Sequence, residues 1–249
     1  MTNSLKPQTF MLVHGAWHGG WCWAQVADML RALGHRVFTP TQTGLGAKRH
    51  LMSRDITLDV FVQDIVNELE FEDLHDVVLV GHSFGGIAIS GVADRLPQRI
   101  RQLIYLDSLL LPSGMTPFSQ LSPEVVATRT AAAQAFDGGL SLPPPSPEAF
   151  GLLDPAHQAV IADRLTPHPF SCYTSPLHLQ HALGNGLPRT YVVCTDPIYP
   201  ALAKSRELAQ SLGWPMVELA TGHDAMVSAP QATAELFMHL AAQIRPVTP

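Results

Sequence analysis

The sequence predicts an α/β protein built on one doubly wound, mostly parallel sheet. Two observations carry that class. Six short runs rich in β-branched and apolar residues alternate with longer segments of helical spacing, and strand–helix–strand alternation with right-handed crossovers builds a parallel sheet. The composition agrees, since 46% of the 249 residues are hydrophobic and 14% charged, as expected of a chain with a large buried core and not of a disordered one. That length suits a single domain.

Residues 9–13 (TFMLV), 36–39 (RVFT), 77–80 (VVLV), 103–106 (LIYL), 190–194 (TYVVC) and 216–219 (MVEL) are the six runs. Each reads as a buried parallel strand. Between them, residues 23–33 form a helical segment that stops at Gly34, a helix-ending residue. Residues 58–69 place Phe61, Val62, Ile65, Val66 and Leu69 near a 3.6-residue period, the mark of a helix packed on a sheet. Residues 87–96 supply a third helix.

The alternation stops after Leu106. Residues 109–187 are rich in Pro and Ala, include Pro143-Pro144-Pro145, and hold no convincing strand. They read as a helical cap, because a long insertion between two sheet strands is more often a functional lid than a plain loop. Within it, residues 141–147 read as an exposed connection of polyproline character. Residues 1–108 and 188–249 then form the core and 109–187 the cap or lid, in a single domain overall.

The net charge of −6 comes without a dense Lys/Arg cluster, which argues against nucleic acid and membrane surfaces as partners. The expected partner is a small molecule that is not strongly anionic; a homodimer is compatible with the sequence. Cys22, Cys172 and Cys194 are odd in number and lack metal-ligand spacing, so they suggest neither a disulfide framework nor a zinc site. No pattern calls for a metal or organic cofactor. The start MTNSLKPQ has no apolar signal region and no long apolar run follows, so the chain reads as soluble and cytoplasmic.

The chemistry concentrates at Gly81-His82-Ser83-Phe84-Gly85. This G-x-S-x-G follows a strand and precedes a helix, the setting in which the serine sits on a strained turn with its hydroxyl raised above the sheet. Ser83 is the candidate nucleophile. A serine hydroxyl needs a histidine to take its proton and an acid to fix that histidine's tautomer, in the chain order Ser, acid, His. Of twelve histidines, His223 lies after the last strand in Thr221-Gly222-His223 and before a terminal helix starting near residue 228. Asp196, the first carboxylate after residues 190–194, is the leading acid, although it also reads as a turn former before Pro197. Asp107, at the end of the preceding strand, is the alternative, and Asp224 ranks third. The second Gly-rich turn, residues 14–20 (HGAWHGG), follows the first strand. It and the residue after the nucleophile supply the two N–H donors that an oxyanion requires, here Ala16 and Phe84.

HGAWHGGWCW, TPTQTGLG, VVLVGHSFGG, IYLD and ATGHDAMVS, in this order, resemble the α/β-hydrolase superfamily, in the branch of plant methylesterases, hydroxynitrile lyases and bacterial carboxylesterases, pyrethroid hydrolases among them. The resemblance covers nearly the whole chain, least of all the cap. It implies the α/β-hydrolase fold with its cap inserted after the sixth-strand region, Ser83, Asp196 and His223 as triad, and Ala16 and Phe84 as oxyanion donors. The activity implied is hydrolysis of small to medium hydrophobic carboxylic esters through an acyl-enzyme. Two positions depart from the lyases, which carry threonine where this chain has Gly15 and lysine where it has Asp224; a carboxylate there disfavours a departing anion. Lyase, lactonase, amidase and noncatalytic ligand receptor are the alternatives. Trp17, Tyr105, Phe118 and Phe170 are expected to line the substrate pocket, with Phe84, Phe136, Phe150 and Tyr173 as further candidates.

Overall fold

The computed structural model describes residues 6–244. Its strands are β1 (Thr9–Val13), β2 (Arg36–Phe38), β3 (Val77–His82), β4 (Ile100–Leu106), β5 (Ser141–Leu142), β6 (His168–Pro169), β7 (Arg189–Cys194) and β8 (Met216–Leu219). Six of them form one sheet in the order β2-β1-β3-β4-β7-β8. Every pairing in it is parallel, so the sheet is wholly and not just mostly parallel. The chain enters at β1, steps outward to β2, then crosses back to β3 and continues the other way. The turns that follow β1 and β3 therefore diverge at the reversal, which opens a crevice at the carboxyl ends of the strands.

β3 and β4 are buried at every position, as expected of central strands covered on both faces, and β4 buries Arg101 and Gln102 along with its apolar residues. The edge strands β2 and β8 are not, with exposed residues at Arg36, Met216 and Glu218. Uniform burial fails there because an edge strand has a neighbour on one side only.

The helices are α1 (Ala24–Ala32), α2 (Leu58–Phe71), α3 (Gly85–Arg95), α4 (Pro123–Asp137), α5 (Pro155–Ala162), α6 (Ser171–Thr174), α7 (Ala203–Ser211), α8 (Ala225–Ser228) and α9 (Pro230–Gln243). In the layers beside the sheet α1 packs against α9 and α2 against α3. α2 buries Leu58, Phe61, Val62, Ile65, Val66 and Leu69, the stripe its sequence periodicity foretells. α7 escapes a sequence reading because it is polar and buries only Ser205 and Ala209.

The insertion leaves after β4, the fourth strand along the chain, and returns at β7. It carries α4, α5 and α6, and also β5 and β6, which pair antiparallel through Ser141 with Pro169 and Leu142 with His168. Two-residue strands are too short to leave a periodic signal. Residues 141–147 are correspondingly not a plain exposed connection: Ser141 and Leu142 are buried, and the Leu142 carbonyl accepts from Trp17 Nε1 at 3.1 Å. α4 is delimited by its own sequence. Ser122 caps its N-terminus by accepting from the Val125 N–H, Pro123 occupies the first turn, and Gly138 closes it in the left-handed conformation, each by its ordinary preference. α4 buries only Ala133.

Among the described residues no helix is long and apolar enough to cross a membrane. The first five residues, part of the amino-terminal stretch considered above, lie outside the described residues.

The start of α3 touches the end of β1: a Cβ on Gly85 would stand 2.7 Å from the His14 carbonyl oxygen and 2.8 Å from that of Val13. Backbone cannot yield as a side-chain tip does. We expect Gly85→Ala to lower stability by about 1–3 kcal/mol, read as a lower urea midpoint; an unchanged midpoint would contradict so close an approach.

Candidate active site

Ser83 follows β3 directly and holds φ +51°, a left-handed conformation rare outside glycine. Its backbone is secured on both sides, with the N–H donating to Leu106 O at 3.2 Å and the carbonyl accepting from Gly86 N at 3.1 Å and Leu109 N at 2.9 Å. Strain of this kind persists only where the surroundings over-determine it. The Ser83 hydroxyl donates to His223 Nε2 at 2.9 Å, and His223 Nδ1–H donates to Asp107 Oδ2 at 2.6 Å. Asp107 is wholly buried and also has positive φ, +38°. The His223 ring is stacked by Tyr199 with centroids 4.1 Å apart, and its backbone carbonyl accepts from His82 Nε2 at 2.9 Å. A hydroxyl, an imidazole and a buried carboxylate so connected can pass the hydroxyl proton to the ring while the carboxylate holds the tautomer and favours the imidazolium.

Chain order favours Asp196 as the carboxylate beside His223, but the one that accepts from His223 Nδ1 is Asp107. Asp196 is exposed, in the turn after β7, with its N–H tied to Thr221 O at 3.0 Å, and its side chain makes no hydrogen bond to His223. Asp107 directly follows β4, the strand next to that of Ser83, whereas Asp196 follows β7, one strand farther from the serine. Asp224 does point elsewhere, into a buried pair with His18.

Ala16 and Phe84 border the same pocket as Ser83. Among the described residues neither N–H has a protein acceptor, which leaves both available to an oxyanion. Imidazoles grip the peptides around Ala16. His14 Nε2 accepts from Gln42 N at 3.1 Å and its Nδ1–H donates to Gly15 O at 2.8 Å, fixing the plane of the peptide that carries the Ala16 N–H. Burial pushes the His14 pKa down to about 3, so this ring is neutral. His18 donates through Nδ1 to Ala16 O at 2.8 Å and through Nε2 to Asp224 Oδ2 at 3.0 Å, which takes a doubly protonated ring. Burial opposes that charge, but the charge and hydrogen bond of Asp224 outweigh it and raise the His18 pKa. For Asp224 burial is likewise overcome, chiefly by His18, and its pKa is lowered. Trp17, at φ +64°, donates its N–H to His168 Nδ1 at 3.4 Å.

Ring nitrogens of His82 and His223 and a carboxylate oxygen of Asp224 lie within 4.8 Å of one another. Both His223 nitrogens are engaged by Ser83 and Asp107, His82 Nε2 by the His223 carbonyl and Asp224 by His18. His82 Nδ1 and Asp224 Oδ1 have no partner among the described residues, but with both His223 nitrogens committed to Ser83 and Asp107 the group does not offer a metal three free ligands.

A small cavity of about 60 Å³ lies beside Ser83. Trp17, Phe84 and Tyr173 line it as anticipated. Tyr105 does not: it is wholly buried in β4, hydrogen-bonded to Ser90 Oγ and packed on Trp214 with centroids 5.0 Å apart. Phe118 and Phe170 form an edge-on pair behind Tyr173 and back the wall without lining it. Phe136 is exposed, and Phe150 lies between the rings of His18 and His223. Tyr199, Arg129, Leu109, Pro117, Leu121, Ala201 and Leu202 complete the lining and escape the sequence reading. The one signal in the sequence is position, since Tyr199 lies just beyond the carboxyl end of β7.

Residues 10–236 match the Alpha/beta hydrolase family. The chain is 38% identical over 238 residues to a carbendazim hydrolyzing esterase of Nocardioides sp. (strain SG-4G), covering 91% of this chain and 96% of that one. It is 31% identical over 140 residues to methylesterase 2 of Arabidopsis thaliana, across 55% of this chain and 51% of the relative. Among solved structures, an extracellular alpha/beta-hydrolase from a Paenibacillus species superposes with a TM-score of 0.82 at 26% identity, over 94% of this chain and 99% of the other.

Burial holds His14, His82 and His168 below the ordinary histidine range. As pH falls below about 6.5, the unfolded chain binds protons that these folded rings refuse, so stability falls toward acid. His18 acts in the opposite sense: its raised pKa contributes stability that is fully present below about 6.5 and is lost as pH rises through the folded value. Asp224 contributes above about 3.9 and loses that contribution as pH falls through its lowered value. Urea midpoints are expected to drop between neutral and mildly acidic pH, more steeply in Asp224→Asn, which no longer favours charged His18. A flat profile in both proteins would refute this charge assignment.

Proposed function

Because the chain belongs to the α/β-hydrolase family, we propose that it is a serine esterase in which Ser83 is the nucleophile, His223 the base and Asp107 the acid. The observation that carries this reading is the unbroken hydrogen-bonded chain from Ser83 through His223 to Asp107 at a largely apolar pocket. Ser83 Oγ attacks the ester carbonyl as His223 Nε2 takes its proton. The carbonyl oxygen becomes an oxyanion facing the N–H groups of Ala16 and Phe84, and Asp107 stabilises the imidazolium. Collapse expels the alcohol, protonated by His223, and leaves an acyl-Ser83. Water activated by His223 then releases the acid and restores the serine.

The substrate class is small to medium hydrophobic esters, in keeping with the esterase relative at 38% identity and with Trp17, Phe84, Leu109, Leu121 and Leu202 around the pocket. A lyase reading has less support. A Cβ at Gly15 would stand 2.8 Å from Ser83 Cβ, so the lyases' threonine would crowd the serine in this chain, and Asp224 is buried against His18 and offers no positive charge to a leaving anion. A noncatalytic receptor would have no use for so complete a proton path. The three cysteines are free and buried, which fits a cytoplasmic setting.

The test is hydrolysis of a p-nitrophenyl ester series. Ser83→Ala should abolish turnover, and Asp107→Asn should lower kcat by on the order of 10⁴-fold through the wrong histidine tautomer, while Asp196→Asn retains activity. A folded wild type inert on every ester would remove the esterase reading. Loss in Asp196→Asn instead of Asp107→Asn would remove the assignment of the acid.

A further inference from the structure

The pocket beside Ser83 has one formal charge in its lining, Arg129. It comes from the inserted segment, on α4, and is half-buried. Its guanidinium lies over the Tyr173 ring, 5.7 Å from the centroid. Arg31, Arg95, Arg99 and Arg101 each meet an aspartate, but Arg129 meets no carboxylate and donates no hydrogen bond among the described residues. Burial raises the pKa of the Tyr173 and Tyr199 hydroxyls, and on both the positive charge of Arg129 is the foremost opposing influence.

A guanidinium stacked on an aromatic face keeps its planar edge of N–H donors free. Held at the border of an apolar pocket, it has lost part of its hydration without gaining an acceptor, and a carboxylate returns that loss through two parallel charge-assisted hydrogen bonds. One guanidinium balances one negative charge. The chain's net charge of −6 disfavours ligands that carry more.

Resting on the esterase reading, we propose that Arg129 recognises a carboxylate at the end of the substrate remote from the scissile bond, so that the preferred esters are half-esters of dicarboxylic acids. The ester carbonyl is then presented to Ser83 while the free acid group is anchored under the inserted segment, and the apolar walls hold the chain between them. Arg129 is a specificity residue in this arrangement and takes no part in bond making.

The experiment compares kcat/KM for monomethyl esters of the linear acids from succinic to pimelic with methyl alkanoates of matched length, in wild type, Arg129→Gln and Arg129→Lys. The wild type is expected to favour the half-ester by about tenfold or more at its best length. Arg129→Gln removes that ratio, chiefly through KM, Arg129→Lys keeps part of it, and added salt narrows it. A wild type that hydrolyses alkanoates without favouring any half-ester overturns the proposal and leaves the esterase intact. So does an Arg129→Gln variant that slows both series equally, the mark of a structural role for the stack on Tyr173. Binding to Ser83→Ala, followed by tryptophan fluorescence, reads the same contact without turnover: half-ester binding must exceed alkanoate binding and lose that excess in the double variant with Arg129→Gln. Equal binding of the two ligands overturns it even if no ester is hydrolysed.

Discussion

The site depends on the close approach of two turns that leave neighbouring strands. A Cβ on Gly15 would stand 2.8 Å from that of Ser83, so the loop after β1 and the turn after β3 are in backbone contact at the sheet's topological reversal. Ala16 and Phe84, each one residue beyond that contact, border one pocket with Ser83. In this chain the contact leaves no space for a side chain at Gly15 unless the serine turn gives way. Gly85 repeats the requirement against His14 and Val13 on the other side of the turn. The nearest consequence is a serine, a tryptophan and an aspartate with positive φ, Ser83, Trp17 and Asp107, all just past the carboxyl ends of strands and all bordering the reacting position or the histidine.

Around this contact the protein buries histidines in two charge states. His14, His82 and His168 are held neutral by burial, whereas His18 is charged because Asp224 stands beside it. The distinction follows from what each ring must do. A neutral ring both accepts and donates, as His14 does between Gln42 and Gly15; a ring that must donate at both ends, to Ala16 and to a carboxylate, needs the second proton. The price of burying the charge is borne by a single pair with both partners hydrogen-bonded, which satisfies the rule that buried charges come in compensated sets.

Much of this was legible in the sequence. The six sheet strands, the helical stripe of α2, the serine turn and the histidine after the last strand each rest on local patterns, and local patterns survive folding. The acid was less legible because Asp107 and Asp196 end strands that are sheet neighbours, and chain order says which loop a carboxylate occupies but not which loop a histidine leans over. Tyr105 was misread for a related reason. Strands buried on both faces show no alternation, so nothing in LIYL separates a ring facing the pocket from one facing Trp214. Arg129 offered no signal at all, since one basic residue in a largely exposed, Ala-rich helix has the appearance of a solvated face.

The hydrogen bond from His223 to Asp107 ties the Ser83 turn to the root of the inserted segment. Asp107 is followed two residues later by Leu109, whose N–H is bonded to the Ser83 carbonyl and whose side chain already lines the pocket. The stalk on which the insertion stands is therefore part of the platform that aligns acid and serine. Any movement of the insertion that keeps these bonds bends the chain beyond Leu109, and the turn after β7 serves the histidine through the Tyr199 ring stacked on it and not through a carboxylate.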